Sequence, residues 1–444
     1  MKVDSELFIH DSDKAALDAL KAIPGFNQLV KAFMSVWSEK EQKIINMSSN
    51  LKLGNGQMDK YYNLLPPICE KLGIEVPELY ITLDVVPNSW TYGDTHPYIV
   101  ITSGLLETLP DELIPTVLAH ECGHIACHHT LYTTMGSLVL NGAANFLSGI
   151  GTLAIYPIQM AFAYWMRCSE FSADRAAAIC DGNPDKMVET CMRLAGYDKD
   201  ILADANVELF LNQAKDYKEL VNGNVFNKSL EFLLFNSIDH PLNAVRAFDI
   251  REWSNTERYR NIQDYLSNPD DPNNKLPIKL NPSNVIGKDT EKAVSYLQSD
   301  GFTNITSERE TSTNLKVKPD TVTSLEVNGK QISETDWFKF DSTIRIRYYE
   351  PKTDEEIKLE HPGEINLING TKPFVDISLN DSIDKLKNLG FINIVEKEMA
   401  IPKISFGIKP GNVAKVMINQ QTSITKAMWF KPDAEVTVYY YVQI

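Results

Sequence analysis

Apolar residues recur at helical spacing through residues 13 to 50, and Ile23-Pro24-Gly25 interrupts the pattern once. Spacings of three and four residues place side chains on one face of an α-helix. Proline followed by glycine breaks such a pattern. Residues 13 to 50 are therefore predicted to form an amino-terminal helical segment in two parts.

Two short stretches rich in β-branched and aromatic residues follow, at Leu79–Leu83 and Tyr98–Thr102. Between them, Pro87 to Asp94 is rich in turn-forming residues. This pattern predicts two neighbouring strands of a small sheet, separated by a turn. Beyond them, the acidic sequence Pro110-Asp111-Glu112 suits the positive end of a helix dipole, and we expect a helix from there through His129.

The last third of the chain has a different pattern. A cluster of Pro, Asn and Asp without a periodic apolar face spans residues 268–284. Alternating apolar and polar stretches then appear at residues 343–349 and 435–441. The cluster is typical of a linker and the alternation is typical of strands with one buried face. We therefore place a domain boundary in the cluster.

Part of this region occurs twice. Gly301–Ile305 recurs 89 residues later as Gly390–Ile394, and Trp337–Lys339 recurs 92 residues later as Trp429–Lys431. A helix-like segment precedes each Gly-Phe pair, and a tyrosine-rich strand ends each copy. The repeat predicts two small α+β modules. The predicted boundaries are an amino-terminal domain at 1–265, a linker at 266–282, a module at 283–350, a linker at 351–364 and a module at 365–444.

The first copy resembles PASTA domains, the modules associated with penicillin-binding proteins and kinases. The residues that carry this resemblance are Val285-Ile286-Gly287-Lys288, Ala293, Leu297 and Gly301-Phe302. In the second copy, Ser378-Leu379-Asn380 replaces the expected glycine turn. The resemblance implies the fold of both modules, and we expect them to recruit substrate or to position a partner.

Composition narrows the classes of function. The 444 residues include 43 Lys and Arg against 59 Asp and Glu, a formal net charge of −16. Because phosphate backbones are bound by basic surfaces, no nucleic-acid partner is expected. The 6 cysteines match neither a zinc ribbon nor a disulfide framework. Together with an amino terminus that lacks a signal-peptide pattern, they favour a cytoplasmic protein with free thiols.

The strongest chemical signal is the sequence His120-Glu121-Cys122-Gly123-His124. Positions four apart share a helix face, so both imidazoles can reach one Zn²⁺ while Glu121 lies beside it. A catalytic zinc has three protein ligands and an open position for water. On a second helix-compatible stretch, Glu170 can supply the third ligand. Asp174, four residues later, can accept a hydrogen bond from a ligand histidine.

These motifs resemble zinc metallopeptidase family forty-eight, which includes the CAAX prenyl protease type I and HtpX. Further residues that carry the resemblance are Val100–Leu106 and His240-Pro241 followed by Arg246. It spans roughly Pro66 to Arg251 and implies an α+β fold, a mainly helical gluzincin domain with a small sheet. It also implies one Zn²⁺ per chain, held by His120, His124 and Glu170.

The resemblance implies a zinc-dependent endopeptidase that hydrolyses peptide bonds in proteins or peptides. Zinc lowers the pKa of a water towards about 7, and Glu121 as general base takes its proton and then protonates the leaving amine. His240 and Arg246 are candidates for stabilising the tetrahedral intermediate or for gating the fourth zinc position. Asn88 matches a position on the substrate-binding edge.

Two further side chains lie next to the motif. His128 continues the four-residue register of the ligand histidines, and we expect it to have a supporting or structural role. Cys122 faces away from both ligands, and we expect a packed thiol.

No Asp, Glu, Lys or Arg occurs from Cys122 to Met166. A bilayer crossing takes about 20 residues and a pair of crossings about 40 plus a turn. Only residues 130–166 remain after the motif helix, which is too few for two crossings. A single crossing would place Glu170 and His124 on opposite sides of the membrane, so that they could not bind one zinc. Buried helices are therefore favoured over a membrane segment. Two alternatives stay open: a membrane-associated protease of the same family, and a noncatalytic scaffold that keeps the metal for structure. The sequence does not indicate the oligomeric state.

Overall fold

The computed structural model describes residues 2–140, 152–196, 205–222, 242–268, 271, 274–312, 314–401 and 408–443. The chain divides into two compact units, residues 1–307 with 324–346 and residues 308–323 with 347–444. The predicted domain boundaries stay a prediction.

The amino-terminal segment is helical, as predicted. Its helices are α1 (Asp11–Lys21), α2 (Phe26–Val36) and α3 (Glu39–Ser49). The predicted break between the first two is confirmed, because Gly25 adopts a left-handed conformation with φ of 94° directly before α2. Glycine takes this conformation without the steric cost that a Cβ brings.

A four-stranded sheet follows. Its elements, with the helices between them, are β1 (Leu51–Lys52), α4 (Asp59–Tyr62), α5 (Leu65–Leu72), β2 (Glu78–Thr82), β3 (Ser89–Tyr92) and β4 (Tyr98–Thr102). The strand order is β1-β2-β4-β3, with β2 and β4 parallel. The predicted pair of neighbouring strands is confirmed.

The prediction of a turn from Pro87 to Asp94 is wrong in its centre. Residues Ser89–Tyr92 form β3, which pairs antiparallel with β4 as the outermost strand of this sheet. Proline, asparagine and glycine at the two ends of the stretch suggested a turn. The β propensity of Trp90, Thr91 and Tyr92 and the available edge of β4 prevailed instead.

Helices fill most of the rest of this region. They are α6 (Ser103–Thr108), α7 (Ile114–Ala126), α8 (Thr130–Leu140), α9 (Thr152–Asp181), α10 (Pro184–Leu194), α11 (Val207–Asn222), α12 (Asn243–Ser254) and α13 (Glu257–Ser267). A short 3-10 turn, Asp111–Leu113, precedes α7. The predicted helix through His129 is therefore three residues too long, since α7 ends at Ala126.

The uncharged interval packs on the amino-terminal helices where it is described. Side chains of α8 and α9, among them Met135, Phe162 and Trp165, form one apolar cluster with residues of α1 and α2 such as Leu20 and Phe26. No helix in the described part of the chain combines the length and hydrophobicity that a membrane crossing requires. Residues 141–151 lie outside the described residues.

The carboxyl-terminal third repeats one order of elements. The first copy holds β5 (Ile278–Leu280), α14 (Thr290–Ser299), β6 (Ile305–Glu310), β7 (Thr321–Val327), β8 (Lys330–Gln331), β9 (Asp336–Phe338) and β10 (Ile344–Tyr349). After α15 (Asp354–Glu360), the second holds β11 (Ile365–Asn366), α16 (Leu379–Asn388), β12 (Ile394–Ala400), β13 (Val413–Ile418), β14 (Trp429–Phe430) and β15 (Val436–Val442). The prediction of small α+β modules is confirmed.

Sheet topology also repeats in these modules. The last strand of each copy is central, in the orders β6-β10-β7-β8 and β12-β15-β13. In both copies the first strand pairs with the short tryptophan-containing strand, β5 with β9 and β11 with β14. The segments predicted as linkers each contain a short element, β5 in one and α15 in the other.

Candidate metal centre

Helices α7 and α9 bring three metal-binding side chains together. The Nε2 atoms of His120 and His124 lie 3.3 Å apart on one face of α7. From α9, the Oε2 atom of Glu170 lies 3.5 Å from His120 Nε2, and Oε1 lies 3.4 Å from His124 Nε2. All three side chains are buried. The predicted ligand set therefore converges on one point.

This donor set fits zinc. A tetrahedral zinc with bonds of about 2.0–2.1 Å holds its ligand atoms about 3.3–3.4 Å from one another. The two Nε2 atoms lie at this spacing, and each lies at nearly the same distance from one of the two Glu170 oxygens. Two imidazoles and one carboxylate also leave a fourth position for water, as catalytic zinc sites do.

Gly123 allows the two helices to approach. A Cβ at this position would lie 2.7 Å from the Cβ of Ala176 and 3.0 Å from the Cα of Ala173, both on α9. Non-bonded carbon atoms essentially never approach to 2.7 Å, so a larger residue would force the helices apart. The spacing of the ligands thus depends on small residues at the α7–α9 interface.

Asp174 and Arg246 form a charged layer behind the ligands. An Asp174 oxygen lies 2.9 Å from Nδ1 of His120, the contact predicted from the sequence. Arg246, on α12, donates two hydrogen bonds to Asp174, of 2.8 and 2.6 Å. Its Nη1 also lies 3.1 Å from Glu170 Oε2. One guanidinium thus holds the carboxylates of Glu170 and Asp174 in place.

Burial and charge act in opposite directions on these groups. Burial lowers the pKa of His124, which favours the neutral ring that binds metal. Burial alone would also lower the pKa of His120, but its contacts with Asp174 and Glu170 raise it. Burial alone would raise the pKa of Asp174, but the charge and hydrogen bonds of Arg246 lower it.

Glu121 contacts the edge strand of the sheet. Ser89 on β3 donates a 2.6 Å hydrogen bond to Oε1, and Thr91 donates a 2.6 Å hydrogen bond to Oε2. The Glu121 side chain is completely buried. Both oxygens of the predicted general base are therefore oriented by hydroxyl groups of one strand.

Comparison with known proteins identifies the family. The model of peptidase family M48 matches residues 68–254. The plastoglobule-localized metallopeptidase 48 of Arabidopsis thaliana, a chloroplastic protein, is 30% identical over 262 residues, which cover 59% of this chain and 76% of that protein. This chain belongs to peptidase family M48. It is accordingly a metallopeptidase, and its substrates are proteins or peptides.

Other similarities are more distant. A protease HtpX homolog of Campylobacter concisus is 27% identical over 202 residues, which cover 38% of this M48 chain and 68% of that protein. The extracellular region of the Ser/Thr kinase PrkC from Staphylococcus aureus is 18% identical, and the match covers 38% of this chain and 49% of that one with a TM-score of 0.17. A TM-score this low adds nothing to the fold of the repeated modules, which rests on their own strands and helices.

The end of α7 corrects the prediction for His128. His128 is exposed and left-handed, with φ of 56°. Its N–H donates to Ile125 O, and the N–H of His129 donates to His124 O, which together form a Schellman motif. This turn reverses the chain, so that His129 is buried and its Nδ1 lies 3.0 Å from Nδ1 of His124. The histidine that contacts a predicted ligand of this M48 chain is therefore His129 and not His128.

Three other predicted side chains have different outcomes. His240 lies outside the described residues. Asn88 is half-buried directly before β3, where its side chain accepts a hydrogen bond from the N–H of Ser89. Cys122 is a buried free thiol 3.9 Å from Cys69 Sγ, and contact with Cys69 and burial raise its pKa well above the usual value. The prediction of a packed thiol agrees with this burial, and a thiol in such surroundings is inert.

Sequence reasoning missed Ser89, Thr91 and His129. The two hydroxyls alternate along β3, a spacing that places them on one strand face, but the turn prediction concealed it. His129 directly follows His128 in the sequence. Because α7 was assumed to continue through His129, the contact with His124 was expected from His128 instead.

Proposed function

We propose that the chain is a zinc-dependent endopeptidase that cleaves extended segments of proteins or peptides. The observation that carries the proposal is the convergence of His120, His124 and Glu170, whose nearest nitrogen and oxygen atoms lie 3.3 to 3.5 Å apart, with Glu121 next in sequence to His120. Family membership supports the reaction class, and the donor set supports the choice of zinc.

Glu121, Ser89 and Thr91 have different proposed roles in hydrolysis. When bound, zinc supplies a Lewis acid that polarises the carbonyl and lowers the pKa of a water. Glu121 accepts a proton from the attacking water and passes it to the leaving amine. Ser89 and Thr91 orient its carboxylate and exclude bulk water from it, which the complete burial of the side chain supports.

Strand β3 suits an extended substrate. It is the outermost strand of its sheet in the described part of the chain, and peptides bind to such edges by adding a strand. Because Ser89 and Thr91 contact Glu121 from this strand, a peptide paired with β3 would lie beside the general base. Asn88, directly before β3, is proposed to line the same edge.

Arg246 is proposed to position the ligands. Its guanidinium is committed to Asp174 and Glu170, which favours this role over contact with the tetrahedral intermediate. The role proposed for His240 remains the one that the family resemblance implies, stabilisation of that intermediate or gating of the zinc.

The remaining proposals concern the rest of the molecule. The repeated modules, PASTA-like in their sequence pattern, are proposed to bind substrate or a partner. Cytoplasmic localisation is supported by the six cysteines, all of them free and buried, as reducing compartments favour.

The test is replacement of Glu121 by glutamine in the zinc-loaded enzyme with unfolded casein as substrate. Loss of the general base is expected to lower the cleavage rate about 10²–10⁴-fold, with zinc content unchanged. Glu112→Gln is the matched control, since Glu112 is exposed just before the same helix. Cleavage by Glu121→Gln at the wild-type rate would exclude the catalytic role and favour a scaffold that keeps its metal for structure.

A further inference from the structure

A chain of polar contacts connects the ligand His124 with helix α1. Nδ1 of His124 lies 3.0 Å from Nδ1 of His129. Nε2 of His129 in turn lies 2.9 Å from Oδ2 of Asp13. Asp13 is completely buried and His129 is 1% exposed. An acid separated from the metal motif by more than a hundred residues thus reaches the metal centre through one imidazole.

Metal binding fixes every proton in this chain of contacts. His124 faces the other ligands with Nε2, so its lone pair there is used for the metal and its proton is on Nδ1. That N–H can donate only if Nδ1 of His129 accepts, which leaves the proton of neutral His129 on Nε2. This second N–H belongs to the atom 2.9 Å from Asp13 Oδ2, so its positive end lies against the ionised carboxylate.

Asp13 is held as a carboxylate by groups from α9. Trp165 Nε1 donates to Oδ1 over 2.9 Å, and Ser172 Oγ donates to Oδ2 over 2.6 Å. Burial alone would raise the pKa of Asp13, but His129, Ser172 and Trp165 together lower it. The contact with His129 is close but off the line of an ideal hydrogen bond, so the attraction between its polar Nε2–H group and the carboxylate charge contributes more to it than hydrogen-bond direction.

The two ligand histidines have matching support. His120 contacts the carboxylate of Asp174 directly, whereas His124 reaches that of Asp13 through His129. Carboxylates that hydrogen-bond to ligand histidines fix the ring orientation and raise its basicity, and their loss costs about 10–100-fold in metal affinity. An imidazole between the two groups can fix the orientation of the ligand ring in the same way, because it accepts at one nitrogen and presents an N–H to the carboxylate at the other.

We propose that Asp13 and His129 are positioning residues for His124, so that α1 is a functional part of the zinc site as well as a packing element. This inference rests on the proposed function, because it requires zinc at His120, His124 and Glu170. A purely structural Asp13 would stabilise the fold without changing the affinity of the folded protein for zinc.

The experiment measures the zinc dissociation constant by competition with a chromophoric chelator, alongside the thermal stability of the metal-free protein. Asp13→Asn and His129→Leu are expected to weaken zinc binding about 10–100-fold. His129→Gln should recover part of the loss, because its amide offers both an acceptor and a donor. The matched control is Asp18→Asn, an exposed acid on the same helix, which should bind zinc like wild type.

The outcomes separate the two proposals. If Asp13→Asn and His129→Leu bind zinc as tightly as Asp18→Asn and lose only stability, the positioning role is wrong. If the wild type itself binds no zinc, the proposed function is wrong, whatever the variants show. Circular dichroism of the metal-free variants identifies a failure to fold. If His129→Leu does not fold, Asp13→Asn against Asp18→Asn decides the question.

Discussion

At the scale of single residues, the metal centre combines side chains that local spacing reveals with others that it does not. The helical spacing of four predicts that His120 faces His124 and that Glu170 shares a face with Asp174, and the contacts agree. Asp13 offered only an indirect signal, an acid on the apolar face of α1 that carries Ala16 and Leu20. Its partner lies 116 positions away, and no local pattern encodes such a contact.

Away from the metal centre, the carboxylate of Glu78 on β2 accepts hydrogen bonds from side chains on α3, β1 and β2. Its Oε1 accepts from Lys43 on α3 and Lys52 on β1, and its Oε2 accepts from Tyr80. Partial burial alone would raise the pKa of Glu78, but these three partners lower it to about 2.

Glu78 therefore predicts a pH dependence of stability. Since its pKa in the folded protein is below the ordinary value of 4.5, its contribution is fully present above about pH 4.5 and is lost as the pH falls towards 2. The difference in unfolding free energy between wild type and Glu78→Gln, measured in urea, should shrink from pH 7 to pH 3. A difference that stays constant over this range would show that Glu78 is not ionised preferentially in the folded state.

At the scale of elements, the packing of α7 against α9 sets the distances in the site. The motif residues are on one helix and the third ligand is on the other, so a shift between them moves Glu170 relative to both histidines. Sequence periodicity predicted both helices but not their separation, which depends on Gly123 meeting Ala173 and Ala176.

Gly123→Ala is expected to destabilise the protein by about 1–3 kcal/mol through overpacking and to weaken zinc binding. Urea unfolding and zinc competition measure the two effects. Adding Ala176→Gly removes the nearest Cβ, 2.7 Å away, and should restore part of both losses. Wild-type stability and affinity in Gly123→Ala would show that the helices can separate without cost to the site.

The ends of elements were harder to predict than their existence. A helix through His129 was expected, whereas the chain turns at His128 in a left-handed conformation that glycine more often occupies. Likewise, β3 forms where turn residues flank three β formers. In both places a tertiary contact decided the outcome, His129 against His124 and β3 against β4.

At the scale of the whole molecule, sequence comparison within the chain was the most informative signal for the carboxyl-terminal third. The repeat of Gly301-Phe302 at Gly390-Phe391 predicted two similar modules, and each has a helix before the pair and a central last strand. The metal centre, in contrast, gathers residues from α1, α7, α9 and α12, all within the first compact unit. The number of metal ions bound per chain therefore tests whether these four helices are folded together.

The most direct test of the account is the zinc content of the purified protein after equilibration with a zinc buffer, measured by elemental analysis. Wild type and the control Glu112→Gln should hold one zinc per chain, whereas Glu170→Gln, with its fold verified by circular dichroism, should hold much less. If Glu170→Gln also held one zinc per chain, Glu170 would not be a zinc ligand. A wild type that takes up no zinc would contradict the central claim.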